Sequence, residues 1–179
     1  MEVHPFGRAG AVRGGGYRRS HRHDPGGHAR TYRRTVATRL DPDGVFAYLA
    51  DFGTTNEWDP RAGGTRLVAG EGASVGATYE TDVRFLGRTT RMRYTITELD
   101  ASSRRLVWVG RNSLVEATDR VVARAVPGGT EVDYTSTYDY QRAPALLDRL
   151  MTLPLTRLMD EARDGLQQTL ARHEGPRAA

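Results

Sequence analysis

A chain of 179 residues, 38% of them hydrophobic, is long enough for one domain with a core of its own and short for two. It has no cysteine, which excludes disulfides, zinc–thiolate sites, iron–sulfur clusters and a cysteine nucleophile, and it has no apolar run near the ~18 residues of a membrane span. The net charge of +4 sits mostly in front, where Arg8, Arg13, Arg18, Arg19 and Arg22 face only Glu2 and Asp24, so the rest of the chain is close to neutral and does not suit nucleic acid.

Residues 1–29 are rich in Gly, Arg and His and keep no hydrophobic period, the composition of a disordered basic tail. His21, His23 and His28 lie in it, where nothing would orient them as metal ligands; no metal site and no cofactor are expected. With no span and no signal-peptide core, the chain reads as cytoplasmic.

Organised sequence begins near Tyr32, with a strand-like run to Leu40. Asp41-Pro42 then pairs an N-cap with proline at the first helical position, and Val45, Tyr48, Leu49 and Phe52 follow at helical spacing until Gly53. A second short helical turn, TNEWDP, ends at Pro60. From there to Gln141 the pattern alternates as strands do, in six runs separated by Gly, Pro and Ser signals.

Alternation assigns faces within the hairpins. Pairing Val83 with Met92 puts Thr81 opposite Tyr94 and Tyr79 opposite Ile96 around a turn at Leu86-Gly87-Arg88-Thr89; Ala123 falls opposite Tyr134 and Val121 opposite Ser136 around a turn at Val126-Pro127-Gly128-Gly129. The other face, with Glu80, Asp82, Arg91, Arg93, Glu131 and Asp133, reads as solvated. A helix of ~45 Å follows from Pro144 to about Arg172. Its apolar stripe runs through Leu147, Leu150, Met151, Leu155, Leu158, Met159, Ala162, Leu166 and Leu170, with Pro154 inside it.

This element order, with the phrases DPDGVFAYLADF, NEWDP, YTITELDASSRRLVW, ATDRVVARAVPGGTEVDYT and LTRLMDEARDGLQQTL, resembles the SRPBCC (START/Bet v 1-like) superfamily and, within it, the polyketide cyclase/dehydrase-like group. The resemblance implies an α+β helix-grip fold over residues 30–173: a curved antiparallel sheet of about seven strands wrapped around the long C-terminal helix, with two short helices after the first strand and a disordered end at 174–179. It also implies a cavity between sheet and helix for a small apolar or aromatic ligand such as a lipid, isoprenoid or polyketide. Trp58 would stand at its mouth. The strands would line it with Tyr79, Thr81, Val83, Phe85, Met92, Tyr94, Ile96, Leu106, Trp108, Val121, Tyr134, Ser136 and Tyr138, and the helix with Leu150, Leu158 and Ala162. Four tyrosines on one buried face need partners for their hydroxyls, which ligand or water oxygens would supply.

The folded region has no histidine before His173, so serine–histidine chemistry and a histidine-held iron are excluded. Acid–base work would fall to Glu116, Asp119 and Arg120 on the sixth run, aided by Tyr94 or Tyr134. Three functions remain open on this reading: a carrier or sensor of an apolar ligand, a cyclase or dehydrase, and a co-chaperone-like protein-interaction module.

Overall fold

The structure is a computed structural model that describes residues 29–140 and 145–175, with backbone alone for 145–149. The expected tail up to residue 28 and the last four residues lie outside the described part. The elements run β1 (Arg30–Thr38), α1 (Pro42–Ala50), a 3-10 turn (Phe52–Thr54), α2 (Thr55–Trp58), then β2 (Ala62–Ala69), β3 (Thr78–Phe85), β4 (Arg88–Asp100), β5 (Arg105–Arg111), β6 (Val115–Val126), β7 (Gly129–Tyr140) and α3 (Ala145–His173). The seven strands form one antiparallel sheet in the order β1-β7-β6-β5-β4-β3-β2, so a meander is completed by the first strand returning beside the last. This is the expected α+β helix-grip architecture.

Local chemistry sets the ends of the short helices. Asp41 caps α1 by accepting from the Gly44 amide at 2.8 Å, with Pro42 in the first turn. The helix stops at Ala50, before Gly53. Asp51 then accepts from the Gly53 amide at 2.8 Å and starts the 3-10 turn. Asn56 fastens α2 to β2 by pairing with both backbone groups of Thr65, at 2.9 and 3.0 Å, where the β2–β3 register is irregular.

The hairpin registers differ from expectation by two residues. Tyr79 pairs with Tyr94 and Thr81 with Met92; Val121 pairs with Tyr134 and Ala123 with Val132. Both turns are tighter than the sequence reading assumes. Leu86 and Gly87 alone connect β3 to β4, both with positive φ (50° and 74°), the type I′ geometry that matches strand twist. Pro127-Gly128 connects β6 to β7, with Gly128 at φ 86° in the position a type II turn reserves for glycine. A shift of two leaves every side chain on its face, so the inner and outer sets stand.

The core gathers Val36, Leu49, Phe52, Trp58, Ile96, Leu106, Trp108, Val132 and Tyr134 with Met159, Ala162, Leu166 and Leu170 of α3. Side-chain ties dock α3 on both edges of the sheet. Arg34 of β1 donates to Asp160 at 2.7 Å and Gln167 to the Ala37 carbonyl at 2.8 Å; at the other edge Arg61 meets Glu161 through two bonds of 2.5 and 2.7 Å. Gly165 lets the helix touch α2, since a Cβ there would lie 1.9 Å from the Trp58 carbonyl oxygen. Glu174, placed beyond the domain by the sequence reading, accepts from the Thr38 hydroxyl at 2.7 Å and from the Arg39 amide at 2.7 Å, which holds its carboxyl down at about 2.

Leu150 is corrected from wall to surface. It is 64% exposed and Leu153 59%, whereas Leu155 is buried. Leu155 is the first described residue of α3 to be fully buried, while Met151, Thr152 and Pro154 before it are half-buried.

Candidate functional site

A partly open cavity of about 30 Å³ lies between the sheet and the segment from Phe52 to Ala62. Phe52, Thr55, Trp58, Asp59 and Ala62 form one side; Thr81 and Val83 of β3, Tyr94 of β4, Trp108 of β5, Asp119 of β6 and Tyr134 of β7 form the other. No residue of α3 is among the described wall of this cavity. The helix instead packs its stripe onto the core, with Ala162 and Met159 buried and Leu158 half-buried against it. The open space suits about one or two waters or a small chemical group, given that one water needs roughly 10–15 Å³.

The wall is aromatic and ordered by ring contacts. Phe52 stacks on Tyr94 at 4.7 Å and meets Trp108 edge-on at 5.3 Å, while Trp58 meets Tyr134 edge-on at 6.2 Å. The Tyr94 ring fits because its cross-strand partner is Gly110, where a Cβ would come within 2.4 Å of that ring. The hydroxyls of Thr55, Thr65 and Thr81 form a buried chain, with Thr55 donating to Thr65 at 3.0 Å and Thr65 donating to Thr81 at 2.7 Å. The indole N–H groups of Trp58 and Trp108 are buried and meet no acceptor among the described residues.

Asp119 is the chemical centre. It falls in phase with Ala117, Val121 and Ala123 on the inner face of β6, and is 3% exposed. Burial pushes its carboxyl up to about 6, against the hydrogen bonds it accepts from Ser136 and from Tyr134 at 3.2 Å. Asp59, across the cavity, is also raised, first by burial and against the amides of Arg61 and Ala62 behind it. The charge of Asp59 raises Asp119 further. Burial holds the hydroxyls of Tyr94, Tyr134 and Tyr138 well above their usual range, so they act here as neutral donors and acceptors.

The family model for polyketide cyclase/dehydrase and lipid transport proteins matches residues 29–171. The chain belongs to this family. Among solved structures, the Zhui aromatase/cyclase from Streptomyces sp. R1128 superposes with a TM-score of 0.65 at 15% identity, covering 81% of this chain and 95% of that one. A START superfamily protein from Mycobacterium smegmatis superposes with a TM-score of 0.64 at 12% identity, covering 82% and 99%. At these identities the likeness is one of fold. No curated protein sequence matches the chain.

Within this family fold, the sequence-expected residues divide. Trp58, Thr81, Val83, Tyr94, Trp108 and Tyr134 meet at the cavity with Asp119. Ser136 reaches it through Asp119. Tyr79, Met92, Ile96, Leu106 and Val121 are buried in the sheet's inner layer without entering the described wall, Phe85 is half-buried near the strand end, and the Tyr138 hydroxyl lies 3.7 Å from the Met159 sulfur. Glu116 and Arg120 belong to the outer side: Glu116 accepts from Arg111 at 2.6 Å and Arg120 is exposed, because strand alternation turns them away from Asp119. Asp59, Phe52, Thr55 and Ala62 are wall residues that the sequence reading did not single out. Among the described residues no His, Asp and Glu side chains group as a metal site would, and no helix is long and apolar enough to cross a membrane.

Proposed function

We propose that this chain binds a small, largely apolar ligand with a polar head, as a carrier or sensor, and that the head seats between Asp119, Tyr134 and the aromatic wall. The observation behind the reading is the partly open cavity itself, in which a buried carboxyl stands among apolar side chains and whose two wall tryptophans have indole N–H groups with no acceptor among the described residues. Orphaned buried polar atoms cost free energy, and a ligand's polar head would relieve that cost. Burying roughly 300 Å² of apolar ligand gives about 7 kcal/mol, while association costs at least about 4, so polar contacts would decide both affinity and choice of ligand. The open space takes only the head, and the body of the ligand would have to displace side chains toward the opening. Family membership supports the reading, since lipid transport is among the activities that describe the family.

The test is native mass spectrometry of the freshly purified full chain, followed by solvent extraction of whatever it carries. A stoichiometric adduct of an apolar compound, lost in a variant that fills the cavity such as Thr81→Leu, is the expected result. A clean mass, with no shift on adding fatty acids, isoprenoids or aromatic polyketides, counts against it.

A second reading is favoured by one observation, the Asp119 carboxyl at about 6. A carboxyl poised near neutrality, with Tyr134 as a hydroxyl donor 3.2 Å away, is equipped to move a proton in a cyclisation or dehydration. On this reading Asp119→Asn and Tyr134→Phe each lower turnover of a bound polyketide-like substrate; unchanged turnover in both removes it.

A further inference from the structure

The cavity wall has an unbalanced charge. Asp59 and Asp119 both line it, and no arginine is among its described residues. The nearest cation to Asp59 is Arg61, whose guanidinium is already engaged by both oxygens of Glu161, so that pair is neutral by itself. Around Asp119 the other elements supply only neutral groups, Tyr134, Ser136 and Tyr138 from β7 and Tyr94 from β4, together with the carboxylate of Asp59. A buried carboxylate is ordinarily paired with a cation, or it stays protonated. Beside Thr55, Ala62, Thr81 and Val83, the wall carries the rings of Phe52, Trp58, Tyr94, Trp108 and Tyr134, surfaces that attract an organic cation when water is excluded. Trp58 and Trp108 of the same wall also carry indole N–H groups that have no acceptor among the described residues.

Building on the ligand-binding reading above, we infer that the polar head of the ligand is a protonated amine, seated between Asp59 and Asp119 against the aromatic rings. The ammonium supplies the missing positive charge, and its volume is of the order of the open space. An oxygen elsewhere on the same ligand would serve the indole N–H groups.

The chain's two tryptophans both line the cavity, so intrinsic fluorescence reports on its occupation. The probes are 2-amino-1-phenylethanol and its uncharged counterpart 1-phenylethane-1,2-diol, which share a ring and a hydroxyl and differ in charge. Titrated into the full chain at pH 7.5, the amine is expected to bind at least tenfold more tightly than the diol. Asp119→Asn and Asp59→Asn, with folding checked by far-UV circular dichroism, should each bring the amine down toward the diol. Equal or tighter binding of the diol overturns the amine inference and leaves the ligand-binding reading standing. Failure of both probes to alter the fluorescence at millimolar concentration counts against both. A tenfold preference that survives in whichever of the two variants folds would place the charge recognition elsewhere and overturn the inference as well.

Discussion

Replacing Asp119 by Asn tests whether the carboxyl is buried and uncompensated as the geometry places it. Its folded-state value of about 6 lies above the 3.8 of an unperturbed aspartate. A group raised on folding contributes most stability when the pH is below its unfolded value, and the contribution is lost as pH rises through the folded value. The native state binds the extra proton, so stability falls between about pH 4 and pH 6. Two units correspond to roughly 3 kcal/mol across the whole window, about 2 of which fall between pH 4.5 and 8. The asparagine keeps an oxygen to accept from Ser136 and Tyr134 but cannot ionise. The assay is urea unfolding of wild type and variant at half-unit steps from pH 4.5 to 8. The variant should gain on wild type by about 2 kcal/mol as pH rises, half of it by roughly pH 5.3 and with the profile levelling off above about 6, whatever constant offset its amide introduces. Carboxylates held down by ion pairs or hydrogen bonds, such as Glu80 with Arg93 or Glu174 with Thr38, are shared by both proteins and cancel. A difference that stays flat across the range would show that Asp119 is solvated or paired, and the site as described would fail.

Tyr134→Phe removes a hydrogen bond to the ionised Asp119, so the midpoint of that same difference profile should move upward; a downward move would mean that Tyr134 serves the protonated form. Gly165→Ala drives a methyl into the Trp58 carbonyl and should destabilise by about 2 kcal/mol or more, read as a Tm lower by several degrees, whereas a neutral result would mean α3 does not press on α2. Gly110→Ala forces the Tyr94 ring off its cross-strand glycine and should change both tryptophan fluorescence and ligand affinity with only a moderate loss of Tm. Leu170→Ala, at a fully buried position, should cost about 2–5 kcal/mol in urea unfolding without altering ligand affinity.

The sheet was legible because its physics is periodic. Alternation separates Tyr79, Thr81 and Met92 from Glu80, Asp82 and Arg91 whatever the pairing, since a side chain's face depends only on whether its position is odd or even along the strand. The same periodicity hides register: a hairpin shifted by two residues keeps every face, and the turn alone distinguishes the alternatives. Leu86 at positive φ is the reason the first turn was misread, because a leucine there gives no sign that it will adopt a conformation normally left to Asn, Asp or Gly. In α3 the heptad-like stripe identified the helix but not the extent of its partner surface, which is a property of the sheet, and Leu150 fell past it.

The site divides along the same line. Asp119 was readable in principle, since it interrupts an inward row between Ala117 and Val121, and a carboxylate in phase with apolar neighbours is a buried one. Asp59 was not, because it follows a helix of four residues, too short for any period to tell which way a side chain faces. What places it opposite Asp119 is the course of the sheet. β2 breaks register with β3 between Gly63 and Arg66, and β4 breaks register with β5 between Ile96 and Glu98. Such irregularities bend and twist strands, and they flank the region where the wall of β3, β4 and β5 faces the Phe52–Ala62 segment. The ion pair of Arg61 with Glu161 and the Asn56–Thr65 clip then hold that segment over the gap, with Asp59 between them in sequence. A cavity placed by bulges and two side-chain ties, one of them to Glu161 of α3, is one whose size should respond to changes at Arg61, Asn56 and Glu161.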